Sequence, residues 1–124
     1  MKRSLQQGTL LRIFISENER YDGRPLAEWI VHRAVEEGLA GATVLRGLQG
    51  FGWHQQVHST RILALSEDLP LVVEIVDQED RIDGFLPHLA EAVPEGLITL
   101  EKVRYLHYRR ETGPTPSSPG PATV

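Results

Sequence analysis

The spacing of apolar residues in this chain alternates between a period of two and a helical period, and this alternation constrains the fold more than any other feature. Residues 9–16 place apolar side chains on both faces of a strand, and residues 43–48 form a second β-prone run. Residues 71–76, rich in Val and Ile, predict a central strand, and residues 97–108 predict a last one. The sequence therefore predicts four strands in one short chain.

Helical segments separate the first strand from the second and the third from the fourth. Pro25 stands where a first helical residue is favoured, and Gly38 supplies the stop of this helix. Asp77 can cap the second helix. Pro87 lies inside that helix and removes one backbone hydrogen bond, so we expect either a kink there or a helix that begins only near Gly84.

The order β-α-β-β-α-β predicts an α+β fold, a ferredoxin-like βαββαβ sandwich. Right-handed crossovers place both helices on one face of a four-stranded antiparallel sheet and leave the other face open. The apolar residues expected on that open face are Leu10, Phe14, Val72 and Val76. Together they form an apolar surface too large to remain exposed to water, so self-association is expected. Arg12 and Glu74 are the polar exceptions, and on neighbouring strands they could neutralise one another.

Composition limits the classes of function. A chain of 124 residues holds one core, which we assign to residues 1–110, and residues 111–124 form a Pro/Ser/Gly-rich tail that we expect to be disordered. The formal net charge of −4 argues against nucleic acid as a partner, and the absence of cysteine excludes disulfides and thiolate chemistry. No apolar run approaches the ~18 residues of a membrane span, so we expect a cytoplasmic protein without direct membrane insertion.

Ordered segments along the chain carry a resemblance to a known superfamily. Gly-Ala-Thr-Val at 41–44, followed after five residues by Gly-Phe-Gly at 50–52, resembles the second strand and the loop start of PII signal-transduction proteins. Residues 69–76 look like the third strand of those proteins, and residues 96–98 with 103–104 look like their last. The similarity is greatest to the uncharacterised PII-like family known as domain of unknown function 190.

The resemblance implies a PII-like homotrimer whose open sheet faces meet around a central axis, with an adenine nucleotide bound in each cleft between subunits. By position, Gly50, Phe51 and Gly52 would line the cleft, and Thr43 would contact the base from the neighbouring subunit. Glu74 would lie near the adenine edge. Without the resemblance, the favoured interpretation of the glycines is a strand end where glycine permits a bend.

The phosphate side of this implied site departs from the superfamily. Gly96 and Arg104 would approach the phosphates, but the segment 93–97 is short and Leu97 stands where PII proteins carry a lysine. With fewer donors and less positive charge, AMP or ADP is a better ligand than ATP. Trp53 replaces a basic residue; it could stack on a base, anchor the loop on a partner, or fold back on its own subunit.

The sequence favours a regulatory protein over an enzyme, because it contains no P-loop, nucleophile elbow or zinc-protease motif, and we assign no catalytic residue and no cofactor. The resemblance implies that residues 53–68 form a loop that signals ligand occupancy to a partner. The resemblance also implies a class of partner, because the family is frequently associated with ion transport, fluoride export in particular. The partner to test first is therefore a membrane transporter or ion channel.

The alternative function is a trimeric metal-binding protein of the same fold. His54 and His58 stand four residues apart, and imidazoles are common ligands of Zn²⁺ and Cu²⁺. Two histidines fall short of the three or four ligands that zinc takes, so three subunits would have to pool theirs. We therefore assign no metal site from the sequence.

Overall fold

The computed structural model describes residues 5–50 and 69–108. The strands are β1 (Leu5–Ser16), β2 (Arg20–Tyr21), β3 (Arg24–Pro25), β4 (Thr43–Arg46), β5 (Pro70–Asp77) and β6 (Leu97–Leu106), and the helices are α1 (Leu26–Glu36) and α2 (Glu79–Ala92). The predicted tail at 111–124 lies outside the described residues.

Four of these strands form one antiparallel sheet in the order β4-β5-β1-β6. Consecutive strands of the chain are thus not always neighbours in the sheet, and β5 lies in its interior, as its Val- and Ile-rich sequence predicted. With one helix between β1 and β4 and another between β5 and β6, the arrangement confirms the predicted ferredoxin-like βαββαβ sandwich.

The core lies between the helices and one face of the sheet. The buried hydrophobic residues are Leu11, Ile13, Ile15, Leu26, Ile30, Ala34, Val73, Ile75, Ile82, Phe85, Leu89 and Ala92. The strand members of this set alternate with period two and the helix members recur every three or four residues, so each element buries one face. Leu11, Ile13 and Ile15 supply the part of this core that comes from β1.

The boundaries of α1 follow from its flanking residues. Asp22 and Gly23 both adopt positive φ angles, of 53° and 80°, which suits the tight turn between β2 and β3. Pro25 flanks α1 as its N-cap instead of opening it, one residue from the predicted place. Gly38, at φ 78°, ends the helix in a Schellman arrangement, with its N–H donating to Val35 and the next N–H donating to Ala34.

Helix α2 runs through Pro87 and begins at Glu79, so the expectation that it begins only near Gly84 is wrong. Its N-cap is Gln78, not Asp77. The Asp77 carboxylate instead accepts one hydrogen bond from the Gln78 backbone N–H at 2.7 Å and another from the Ala40 N–H at 2.9 Å. It thereby ties the start of α2 to the loop before β4. Neither helix in the described ranges has the length and apolarity needed to cross a bilayer.

Candidate functional site

The face of the sheet that points away from the helices, called the open face below, consists of rows of side chains that cross the strands. One row contains Leu45, Val72, Phe14 and Leu97; the next contains Thr43, Glu74, Arg12 and Thr99; a third contains Val76, Leu10 and Glu101. Leu45 and Leu97 are 47% and 44% exposed. Apolar side chains therefore lie on both sides of a polar row, and the helices cover none of them.

An ion cluster formed by Arg12, Glu74 and Glu101 lies in the middle of the open face. Arg12 Nε donates to Glu74 Oε2 at 2.8 Å, and Arg12 Nη1 donates to Glu101 Oε1 at 2.9 Å. The hydrogen bond with Glu74 is the main reason that the pKa of Arg12 is raised above its ordinary value. The predicted neutralisation of Arg12 by Glu74 is confirmed, and Glu101 is a further partner that sequence reasoning missed. We call these three residues the Arg12 cluster.

Two of the predicted adenine contacts meet on the open face. Thr43 lies directly opposite Glu74 in the register of β4 and β5. Thr43 is exposed, whereas Glu74 is half-buried and held by Arg12. A carboxylate fixed in this way can accept a hydrogen bond from the exocyclic amine of adenine. In the predicted site the Thr43 hydroxyl that contacts the base belongs to the neighbouring subunit, so the contact of these two residues with one adenine stays a prediction.

Gly50 lies at the end of the first described segment, close to Pro70 on β5. A Cβ atom at Gly50 would come within 3.3 Å of Pro70 Cγ, and one at Gly47 would come within 2.8 Å of the same atom. Close packing against Pro70 is thus a structural reason for glycine at position 50, and it does not depend on a ligand. Phe51, Gly52 and Trp53 lie outside the described residues.

Gly96 and Arg104, the predicted phosphate contacts, do not come together within one chain. Gly96 immediately precedes β6, beside the carbonyl of Phe14, while Arg104 pairs with Gln7 near the other end of that strand. A strand rises ~3.3 Å per residue, so roughly 25 Å separates them along β6. One ligand could contact both residues only if they came from different subunits.

Sequence reasoning also missed Glu17, which bonds to residues on both sides of the segment 51–68. Its Oε1 accepts hydrogen bonds from Arg46 Nε at 3.2 Å and from Arg46 Nη2 at 2.5 Å. Its Oε2 accepts from the Leu69 backbone N–H at 3.3 Å, and its own N–H donates to the Leu69 carbonyl at 2.9 Å. The hydrogen bonds from Arg46, and after them the one from the Leu69 N–H, hold the pKa of the Glu17 carboxyl below its ordinary value.

The predicted metal ligands His54 and His58 lie outside the described residues. Within 5–50 and 69–108, no group of three or more His, Asp or Glu side chains is arranged to hold a metal ion. One described histidine has a polar role: His88 Nε2 on α2 lies 3.2 Å from Glu37 Oε2 at the end of α1, so it links the two helices on the side of the sheet away from the open face.

Comparison with known proteins gives the same fold and a family. The chain is 42% identical over 98 residues to a UPF0166 protein of Aquifex aeolicus (strain VF5), covering 79% of this chain and 92% of that protein. It is 35% identical over 92 residues to a UPF0166 protein of Methanocaldococcus jannaschii, covering 73% and 84%.

Two solved structures share the fold at low sequence identity. The CPII protein of Thiomonas intermedia K12, bound to ADP, AMP and acetate, matches with a TM-score of 0.55 and 14% identity over 86% of this chain and 93% of that one. A protein of Thermus thermophilus assigned to the PII-like signalling proteins matches with a TM-score of 0.52 and 16% identity over 83% and 91%. Residues 8–105 match the family described as uncharacterized ACR, DUF190, and the chain therefore belongs to that family, within a PII-like fold.

Proposed function

We propose that this protein is a PII-like regulator that binds an adenine nucleotide, AMP or ADP in preference to ATP, between subunits of a homotrimer. The observation that carries the proposal is the open face, which is apolar on both sides of the Arg12 cluster and which the helices leave uncovered. A face of this kind is stabilised by association with further copies. The fold it shares with CPII, which has been solved with ADP and AMP, supplies the ligand class.

The positions of the assigned residues support a site between chains. Thr43 and Glu74 share one point of the open face, but Gly96 and Arg104 lie at opposite ends of β6. A nucleotide that contacts both ends must therefore take part of its site from a second copy. Leu97, where PII proteins carry a lysine, supplies no positive charge for a γ-phosphate, which favours AMP or ADP.

The regulatory part of the proposal concerns residues 53–68 and a partner protein. Glu17 holds Arg46 and Leu69, which lie before and after that segment in the chain. In our proposal, nucleotide binding shifts the population of states available to that segment, and the segment docks on a membrane transporter or ion channel from the cytoplasm.

Isothermal titration of the purified full chain with AMP, ADP and ATP tests the proposal, with light scattering to count the subunits. We expect a trimer, saturable heat with AMP or ADP, and weaker binding of ATP. Arg104→Gln should weaken ADP binding roughly tenfold, the effect of losing one charged hydrogen bond. Lys102→Gln, two residues earlier on the same strand, is the matched control and should bind as the natural chain does.

Two results would overturn the proposed function. A chain that stays monomeric at micromolar concentration would lack the cleft in which the nucleotide is placed. Absence of heat with every nucleotide at millimolar concentration, together with tight binding of Zn²⁺ or Cu²⁺ that His54→Ala with His58→Ala abolishes, would favour the metal-binding alternative.

A further inference from the structure

The open face contains opposite charges at its centre and apolar surface around them. Among the described strand residues on this face, the only charged ones are Arg12, Glu74 and Glu101. Two carboxylates share one guanidinium, so the cluster has a formal charge of −1. Glu74 is the more buried carboxylate, with 29% of its side chain exposed against 58% for Glu101.

Burial of the Arg12 cluster at an interface favours a covering surface that carries matching charges. Covering an ion cluster with apolar surface removes the hydration of its charged groups without replacing it. Covering it with matching charges replaces the lost hydration with ion pairs and hydrogen bonds. Arg12 donates to its two carboxylates through Nε and Nη1. A guanidinium has five N–H donors, so the Nη2 group is left to bind an acceptor beyond the described residues of its own chain.

Because the cluster contains both signs, the guanidinium of one copy can be matched by a carboxylate of another copy. Arg12 of one copy can face the exposed Glu101 of the next. An arrangement that places the cluster against Phe14 or Leu10 of the other copy would instead bury an ion against apolar surface. Buried polar groups in apolar interfaces fix register and copy number in this way, at a cost in affinity.

We infer that the Arg12 cluster determines how copies of this chain meet, fixing the register and the number of subunits, while the apolar rows provide the affinity. The inference rests on the proposed function for the existence of the assembly. It adds the residues that restrict the assembly to one register and one number of subunits.

The decisive experiment replaces the whole cluster by apolar side chains in the variant Arg12→Met, Glu74→Leu, Glu101→Leu. Native mass spectrometry and light scattering then count subunits across a dilution series. We expect the natural chain to form one species and the variant to stay associated but populate two or more copy numbers. The matched control is Arg33→Met, which also removes a guanidinium held by two carboxylates, Glu36 and Glu37, but on α1; it should leave the single species unchanged.

The single variant Arg12→Met tests the same inference by removing only the cation of the cluster. It leaves two neighbouring carboxylates without their cation, so the concentration at which the assembly dissociates should rise by about tenfold or more. Circular dichroism checks that this variant is folded; if it is not, the triple variant decides, because it leaves no unpaired charge.

The outcomes separate the two proposals. If the natural chain and the triple variant both form the same single species, the inference is overturned while the proposed function stands. If the natural chain is monomeric, the proposed function fails first and the inference fails with it.

Discussion

Single glycines show most directly how packing selects residues in this chain. A Cβ atom at Gly8 on β1 would lie 2.4 Å from the Asp77 carbonyl oxygen and 2.6 Å from Tyr105 Cε1. Both distances are shorter than any van der Waals contact, so only glycine fits where β1, β5 and β6 meet. Gly84, on the exposed side of α2, has nothing within 4 Å of its would-be Cβ.

We therefore expect opposite results from one substitution at two sites. Gly8→Ala should lower the free energy of unfolding by about 1–3 kcal/mol, the usual cost of overpacking. Gly84→Ala should raise it by up to about 1 kcal/mol, because alanine has the higher helix propensity. Urea denaturation at one fixed protein concentration measures both. A neutral Gly8→Ala would mean that the close approach of Tyr105 is not maintained in solution.

Glu17 makes a second prediction at this scale, about pH. Its pKa in the folded protein is lowered, chiefly by the hydrogen bonds with Arg46 and then by that with the Leu69 N–H. A carboxyl group with a depressed folded pKa contributes stability above its unfolded value of 4.5, and the contribution is lost as pH falls through the folded pKa. Glu17→Gln should therefore destabilise the protein at pH 7 and have a smaller effect near pH 3.

Chemical denaturation of the natural chain and of Glu17→Gln at the two pH values tests this prediction. Glu28→Gln, on the exposed first turn of α1, is a control carboxylate that should show no comparable change. An equal difference between the natural chain and Glu17→Gln at both pH values would show that the charge of Glu17 contributes nothing to the contact.

What the sequence reveals about the site depends on whether both partners belong to strands with a strong apolar pattern, and not on how far apart they lie in the chain. Arg12 and Glu74 could be paired in advance, because each belongs to a strongly patterned strand and the two strands were predicted to be neighbours. Glu101 joins them only through the register of β1 with β6, in which it lies opposite Leu10. Glu17 meets Arg46 and Leu69 across 29 and 52 residues, and no local pattern indicates such contacts.

At the scale of secondary structure elements, long patterned segments were predictable and short ones were not. The strands and helices that build the core all follow from apolar periodicity, with boundaries displaced by a few residues. The hairpin of β2 and β3 has two residues in each strand, too few for any period, and only its Asp22-Gly23 turn could be predicted. Strand β6 is continuous through the charged pair Glu101 and Lys102, because pairing with β1 stabilises it there.

Helix α2 supports a prediction at this scale. Pro87 lies inside the helix and cannot donate to the Asp83 carbonyl, yet the helix continues to Ala92 because Phe85 and Leu89 on either side are buried in the core. Tertiary packing thus outweighs an unfavourable residue. Pro87→Ala should raise the free energy of unfolding by up to about 3 kcal/mol, since it restores that bond and removes the ring.

Thermal and urea denaturation of Pro87→Ala measure this gain. Pro94→Ala, just beyond the end of α2, is the control, because no helical hydrogen bond is available at that position. A loss of stability in Pro87→Ala would show that the helix depends on the fixed φ angle of proline at this site.

At the scale of the whole molecule, the two layers differ in what their outer surfaces present. The helical layer exposes the carboxylates of its first turns, Glu28, Glu79 and Asp80, to solvent. The open face presents leucine, valine and phenylalanine around one ion cluster. A molecule with one charged side and one apolar side is expected to associate through the apolar side, so the two faces of the same strand should differ in their tolerance of charge.

Strand β4 allows that difference to be tested with adjacent residues. Leu45 on the open face and Val44 on the opposite face are 47% and 41% exposed in the single chain, so a charge at either site costs the monomer a similar, small amount. Leu45→Glu should convert the assembly to monomers at micromolar concentration, because association would bury an unpaired carboxylate. Val44→Glu should leave the number of subunits unchanged. Light scattering of the two variants at equal concentration gives the answer, and dissociation by Val44→Glu but not by Leu45→Glu would move the interface to the other side of the sheet.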